Sequence, residues 1–136
     1  MKETKTVKFS DIKDYPELSV LFADIIIQNT DGKKDDVFWN SAEQSILQAV
    51  TLFMAIGDVS IIAGGEYTGR MKLGDVYRYI ASTPLSEIHA HFDVLASIYP
   101  EHPALSCYNT FIRSTNINTQ IEILNGLKIR CRALLS

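Results

Sequence analysis

Between Asp36 and Ile56 the chain is apolar at Trp39, Ala42, Ile46, Ala49, Phe53 and Ile56. Steps of three and four put these side chains on one face of an α-helix. Leu47, Val50 and Met54 widen that face until little of the last three turns is polar. A helix apolar nearly all round is buried by its neighbours, so this stretch is expected at the centre of the fold. Asn40, Ser41, Glu43, Gln44 and Gln48 crowd its first half, and that end is expected to reach solvent. Asp35 or Asp36 suits the helix start, where a carboxylate accepts orphan N–H groups and sits at the positive end of the dipole.

The flanking pattern is also helical. Residues 1–14 are polar and lysine-bearing, a loosely ordered lead-in. Pro16 opens a helix to about Asn29, apolar except for a narrow stripe of Glu17, Asp24 and Gln28. Asn29 to Asp35 is a turn-rich loop. Gly57 and Asp58 end or kink the central helix, Val59 to Ala63 continues it briefly, and a Gly-rich loop follows to Lys72. Gly74 to Ser82 forms a short helix with Val76, Tyr77 and Ile80 inward. Thr83 as N-cap and Pro84 as first residue start the next, with Leu85, Ile88, Phe92, Leu95 and Ile98 on one face, ending before Pro100. Pro103 begins a helix to about Ser114, with Leu105, Tyr108, Phe111 and Ile112 inward. Thr115 or Asn116 caps the last helix, whose inward face reads Ile117, Ile121, Leu124, Leu127, Cys131 and Leu134 or Leu135. Gly126 inside it costs about 1 kcal/mol against Ala and points to close helix–helix approach. The fold class is all-α: a compact bundle of five to six helices, successive ones mostly antiparallel across short loops.

Composition narrows this picture. The 136 residues are expected to form a single domain with a real core, spanning residues 1–136. A net charge of -3 and a pI near 5.5 exclude a whole-domain basic footprint for nucleic acid, leaving only local basic patches. Cys107 and Cys131 lie outside any CxxC or Cys/His cluster, so no zinc site and two free thiols are expected. Met1 to Lys13 has no apolar core of a secretory leader, and no run reaches the length of a membrane helix.

Candidate chemistry is sparse. Gly64 to Met71 has the glycine spacing of a P-loop, but Arg70 and Met71 stand where Lys and a Mg²⁺-holding Ser or Thr are needed. It reads as an interhelix loop. His89 and His91, two apart on a helix, point to different faces and cannot share a metal. His102 before Pro103 suits a helix cap. Asp24 reads as a hydrogen-bonded, partly buried carboxylate. No GxSxG elbow or HExxH occurs. No catalytic, cofactor or metal residues are therefore assigned, and the chain is not expected to be an enzyme. The last helix gathers Lys128, Arg130 and Arg132, with Arg113 nearby in sequence. Lys128 and Arg132, at i,i+4, share a face and are the candidates for binding DNA or a partner, although cations near a helix C-terminus also answer its dipole.

Four groups of residues carry a resemblance. Ala23 to Thr30 (ADIIIQNT) leads into Phe38-Trp39-Asn40-Ser41-Ala42-Glu43 and Leu47-Gln48-Ala49. Gly74 to Arg78 (GDVYR) comes next, then His102-Pro103-Ala104 with Tyr108-Asn109 and Phe111, and finally Gly126-Leu127 with Arg130. From about residue 10 onward, their order and spacing resemble the all-alpha domain of type IV secretion coupling proteins, the TraG/TraD-like conjugative ATPases. The similarity is to the branch on conjugative elements of Gram-positive bacteria. The resemblance implies a substrate- and relaxosome-recognition domain, excised from a membrane-anchored hexameric ATPase and lying on the cytoplasmic side of the membrane. It implies relaxase, accessory proteins or DNA itself as partners, no membrane contact by the domain and no ATP hydrolysis by this chain, which lacks the Walker motifs. The alternative is a free-standing helical protein that binds DNA, or a small ligand through the Gly64–Met71 loop.

Overall fold

The computed structural model describes residues 37–55 and 73–135, together with Ser19 and Ala23. The described helices are α1 (Val37–Ala55), α2 (Leu73–Ser82), α3 (Leu85–Ile98), α4 (Ala104–Ser114) and α5 (Ile117–Leu135), with no strand among the described residues. This is the expected all-α bundle. Ser19 and Ala23, two points of the expected Pro16–Asn29 helix, are helical and buried. Outside the described residues lie Asp24, the 1–14 lead-in, the Asn29–Asp35 loop, the Asp35 or Asp36 cap, the side chains of Trp39 and Asn40, Ile56, the Val59–Ala63 continuation and the Gly64–Met71 loop.

Helix α1 is central, as its apolar circumference requires: it packs against α4, α2 and α5. Ala42, Ile46, Leu47, Ala49, Val50, Phe53 and Met54 are all buried on it. Thr51, buried among them, returns its hydroxyl to the Leu47 carbonyl at 2.7 Å. The strongest packing joins α1 to α4 and α2 to α5, helices distant in sequence, rather than successive ones as expected. The connections after α2 and α4 are two residues each. Pro84 (ψ 154°) and Thr115 (ψ 157°) are extended there, so the chain turns a corner instead of folding a helix back along its predecessor.

An aromatic column ties the helices together. Phe53 of α1 meets Tyr79 of α2 edge-on at 5.8 Å and Phe92 of α3 at 5.4 Å. Phe92 stacks on Tyr108 of α4 at 4.4 Å with the rings 4° from parallel. Burying each such ring contributes on the order of 2 kcal/mol or more, with up to about 1 kcal/mol added per pair.

Helix starts follow local chemistry. Asn116 caps α5, its Oδ1 accepting the Thr119 N–H at 2.9 Å. His102 caps α4, taking the Ala104 N–H on Nδ1 at 3.1 Å. At α3 the cap is Pro84 rather than Thr83, because the Pro84 carbonyl accepts both first helical bonds, from Glu87 and Ile88 at 3.0 Å.

Candidate functional site

Three expectations about polar and apolar placement are corrected by the packing. Glu43, placed with the solvent-reaching end of α1, is 1% exposed, and Arg130 of α5 is as buried. Arg130 Nη2 donates to Glu43 Oε1 at 3.0 Å and Nε donates to Oε2 at 3.1 Å. This fork-to-fork pair satisfies both carboxylate oxygens inside the core. Arg130 therefore leaves the set of surface cations. On α5 the inward face is Gln120, Ile123, Leu124, Leu127, Arg130 and Cys131, while Ile117 and Ile121 are exposed. Turning the helix to bury Arg130 rotates those two isoleucines outward. On α3 the inward residues are Ile88, Phe92 and Leu95, and Ile98 is exposed.

The two residues singled out as binding candidates have different surroundings. Lys128 Nζ donates to the carbonyls of Ile80 and Thr83, both at 2.7 Å. Those carbonyls close the C-terminal end of α2, where helical carbonyls lack intrahelical partners and the dipole is negative. Burial, and next the Arg132 charge, lower the Lys128 pKa below the usual lysine value. Lys128 thus joins α5 to α2, with its ammonium engaged. Arg132 is exposed in the last turn of α5.

Helix α3 carries two histidine–tyrosine contacts on different sides, as their spacing of two demands. The Tyr79 hydroxyl of α2 lies 2.7 Å from His91 Nδ1, and burial lowers the His91 pKa, favouring the neutral imidazole. Tyr108 of α4 lies with its hydroxyl 2.5 Å from His89 Nδ1. Burial, and next the Asp93 charge, push the Tyr108 pKa up to about 12, so this hydroxyl keeps its proton. Both pairs fix α3 to its neighbours.

What α3 leaves outward is a surface that the apolar pattern did not reveal. Val94 is 41% exposed, Ile98 46% and Tyr99 43%. Glu87, Asp93 and Glu101 are exposed around them, and none forms an ion pair with a described cation. From Tyr79 to Ile112 the chain has no lysine or arginine. That gap was the signal available in the sequence. Among the described residues no cluster of His, Cys, Asp and Glu could hold a metal ion, and no helix is long and apolar enough to cross a membrane. The chain matches no protein-family profile, no curated protein and no solved structure.

Proposed function

We propose that this chain is the substrate-recognition domain of a type IV secretion coupling protein and helps recruit a DNA–protein transfer substrate to the secretion channel. The observation that carries the reading is the Glu43–Arg130 pair. It joins the Phe38–Glu43 stretch to the Gly126–Arg130 stretch, two of those on which the resemblance rests. His102, Ala104, Tyr108 and Phe111, from a third stretch, are buried at the start and inner face of α4. Matched residues that interlock in one core support a likeness of fold, and the function follows by analogy with that fold. On this reading the domain works beside a membrane-anchored hexameric ATPase, on the cytoplasmic side, and turns over no nucleotide itself.

Recognition of protein is favoured over direct reading of DNA. Lys128 is engaged at α2, and the cation-free run of 79–112 offers phosphates nothing. The test is fluorescence anisotropy of labelled single- and double-stranded DNA over a salt series, beside titration of the cognate relaxase and its accessory proteins. Binding to a relaxosome protein, with weak and salt-sensitive DNA binding, is the expected result. ATP turnover by this chain, or no binding by any relaxosome component, would overturn the reading.

A further inference from the structure

We infer that the outer face of α3 is a docking surface for a basic amphipathic helix of a partner protein, with Val94, Ile98 and Tyr99 as its apolar centre. The inference deepens the recognition reading above by naming the surface and the chemistry of what it takes. Val94 and Ile98 are one helical turn apart, so their side chains adjoin on the same side of α3, and Tyr99 follows at the C-cap. All three are more than 40% exposed, although Ile88, Phe92 and Leu95 of α3 are buried and Leu85 is partly buried against the core. The stripe of the fold's own core is thus complete without them.

Charge chooses the occupant. Glu87 lies seven residues, or two turns, before Val94, and Asp93 and Glu101 flank the same end of the helix. No lysine or arginine occurs between Tyr79 and Ile112, so α3 carries carboxylates and no lysine or arginine of its own to answer them. A helix with leucines or isoleucines at i, i+4 and i+7 and lysines or arginines on its flanks matches both features. The apolar residues cover the Val94–Ile98–Tyr99 patch while the cations meet the rim of carboxylates, which sets orientation and encounter rate. Nucleic acid and anionic lipid present the wrong charge to this face.

The probe is a labelled 18-residue peptide carrying that leucine stripe with lysines elsewhere, read by anisotropy and by amide chemical shifts of the whole chain. A scrambled peptide of equal composition is the control. The expected result is binding of the striped peptide only, weakened by salt, with shifts concentrated on α3. Val94→Ser with Ile98→Ser, at exposed positions that leave the core intact, lowers affinity about tenfold. Glu87→Lys lowers it separately, and Arg132→Glu on α5 leaves it unchanged or raises it. Equal binding of the scrambled peptide, shifts centred on α5, or unchanged affinity in the Val94/Ile98 variant would overturn the inference. The relaxosome titration separates the two ideas. A relaxosome protein that binds the domain while the peptide does not removes only the α3 surface. A peptide that docks on α3 while every relaxosome protein fails removes only the conjugative reading.

Discussion

Arg130 carries a full charge with almost no exposed surface, and it is paired with the Glu43 carboxylate, 87 residues earlier in the chain. Removing one partner of such a pair leaves a buried charge uncompensated, at a cost of about 3–5 kcal/mol. Glu43→Ala is expected to lose that much in urea denaturation, a large share of the stability of a domain this size. Glu43→Leu combined with Arg130→Met removes both charges and is expected to recover most of the loss. Gly126 sits beside the pair: a Cβ built there would lie 3.5 Å from Glu43 Oε2, ordinary van der Waals contact. Close helix approach therefore does not require this glycine. Gly126→Ala is expected to raise stability by up to about 1 kcal/mol, seen as a higher melting temperature. Periodicity could not reveal the pair, because a glutamate and an arginine each read as surface until their partner is in view.

At the scale of the element, helix identity was legible and the rotation of helices was not. The Val37–Ala55 and Leu73–Ser82 bounds fall within one residue of the pattern-based ends, and Asn116 and His102 cap where side-chain chemistry put them. The face of α5 was misassigned because Ile117 and Ile121 continue an apolar stripe that the buried Arg130 overrides. Lys128 is a capping residue for another helix. Lys128→Met leaves the Ile80 and Thr83 carbonyls without their donor and is expected to cost about 2 kcal/mol, measured by denaturation, with little change in DNA anisotropy. Arg132→Glu is the contrasting surface change. Helix α3 supplies a pH dependence. Burial holds the His91 pKa below its usual 6.5, so the folded state binds fewer protons at that site than the unfolded state. The stability tied to His91 is full above pH 6.5 and is lost as pH falls through the lowered value. Denaturation midpoints at pH 7.5 and pH 5 are expected to show this loss, and His91→Phe is expected to reduce the difference. A His91 resonance titrating above 6.5 would contradict the assignment.

For the whole molecule, the two thiols report separately on how the fold opens. Cys131 is fully buried in α5 and its thiol is pushed up to about 12 by burial, while Cys107 is only partly covered. A thiol reagent on the native protein is expected to label Cys107 first. Cys131 should follow at a rate set by opening of the fold, which Glu43→Ala accelerates. The all-α class and the central place of α1 were legible in the run of apolar residues, because burial on three sides needs an apolar circumference. The pairing of α1 with α4 and of α2 with α5 was not, since two-residue corners at 83–84 and 115–116 look the same in sequence as tight reversals. The outward patch on α3 was hidden for a related reason. Its residues share the apolar character of the core, and only the missing cations marked that side as different.

The distance along the chain between Glu43 and Arg130 has a consequence for synthesis. A ribosome releases α1 well before it has made α5, so the carboxylate emerges before the guanidinium that pairs with it in the folded core. Sinking the early turns of α1 into an apolar collapse would then strand that carboxylate. Burial of the early turns of α1 is therefore expected to wait for α5 and its guanidinium, so that the centre of the fold closes only after both helices have been made.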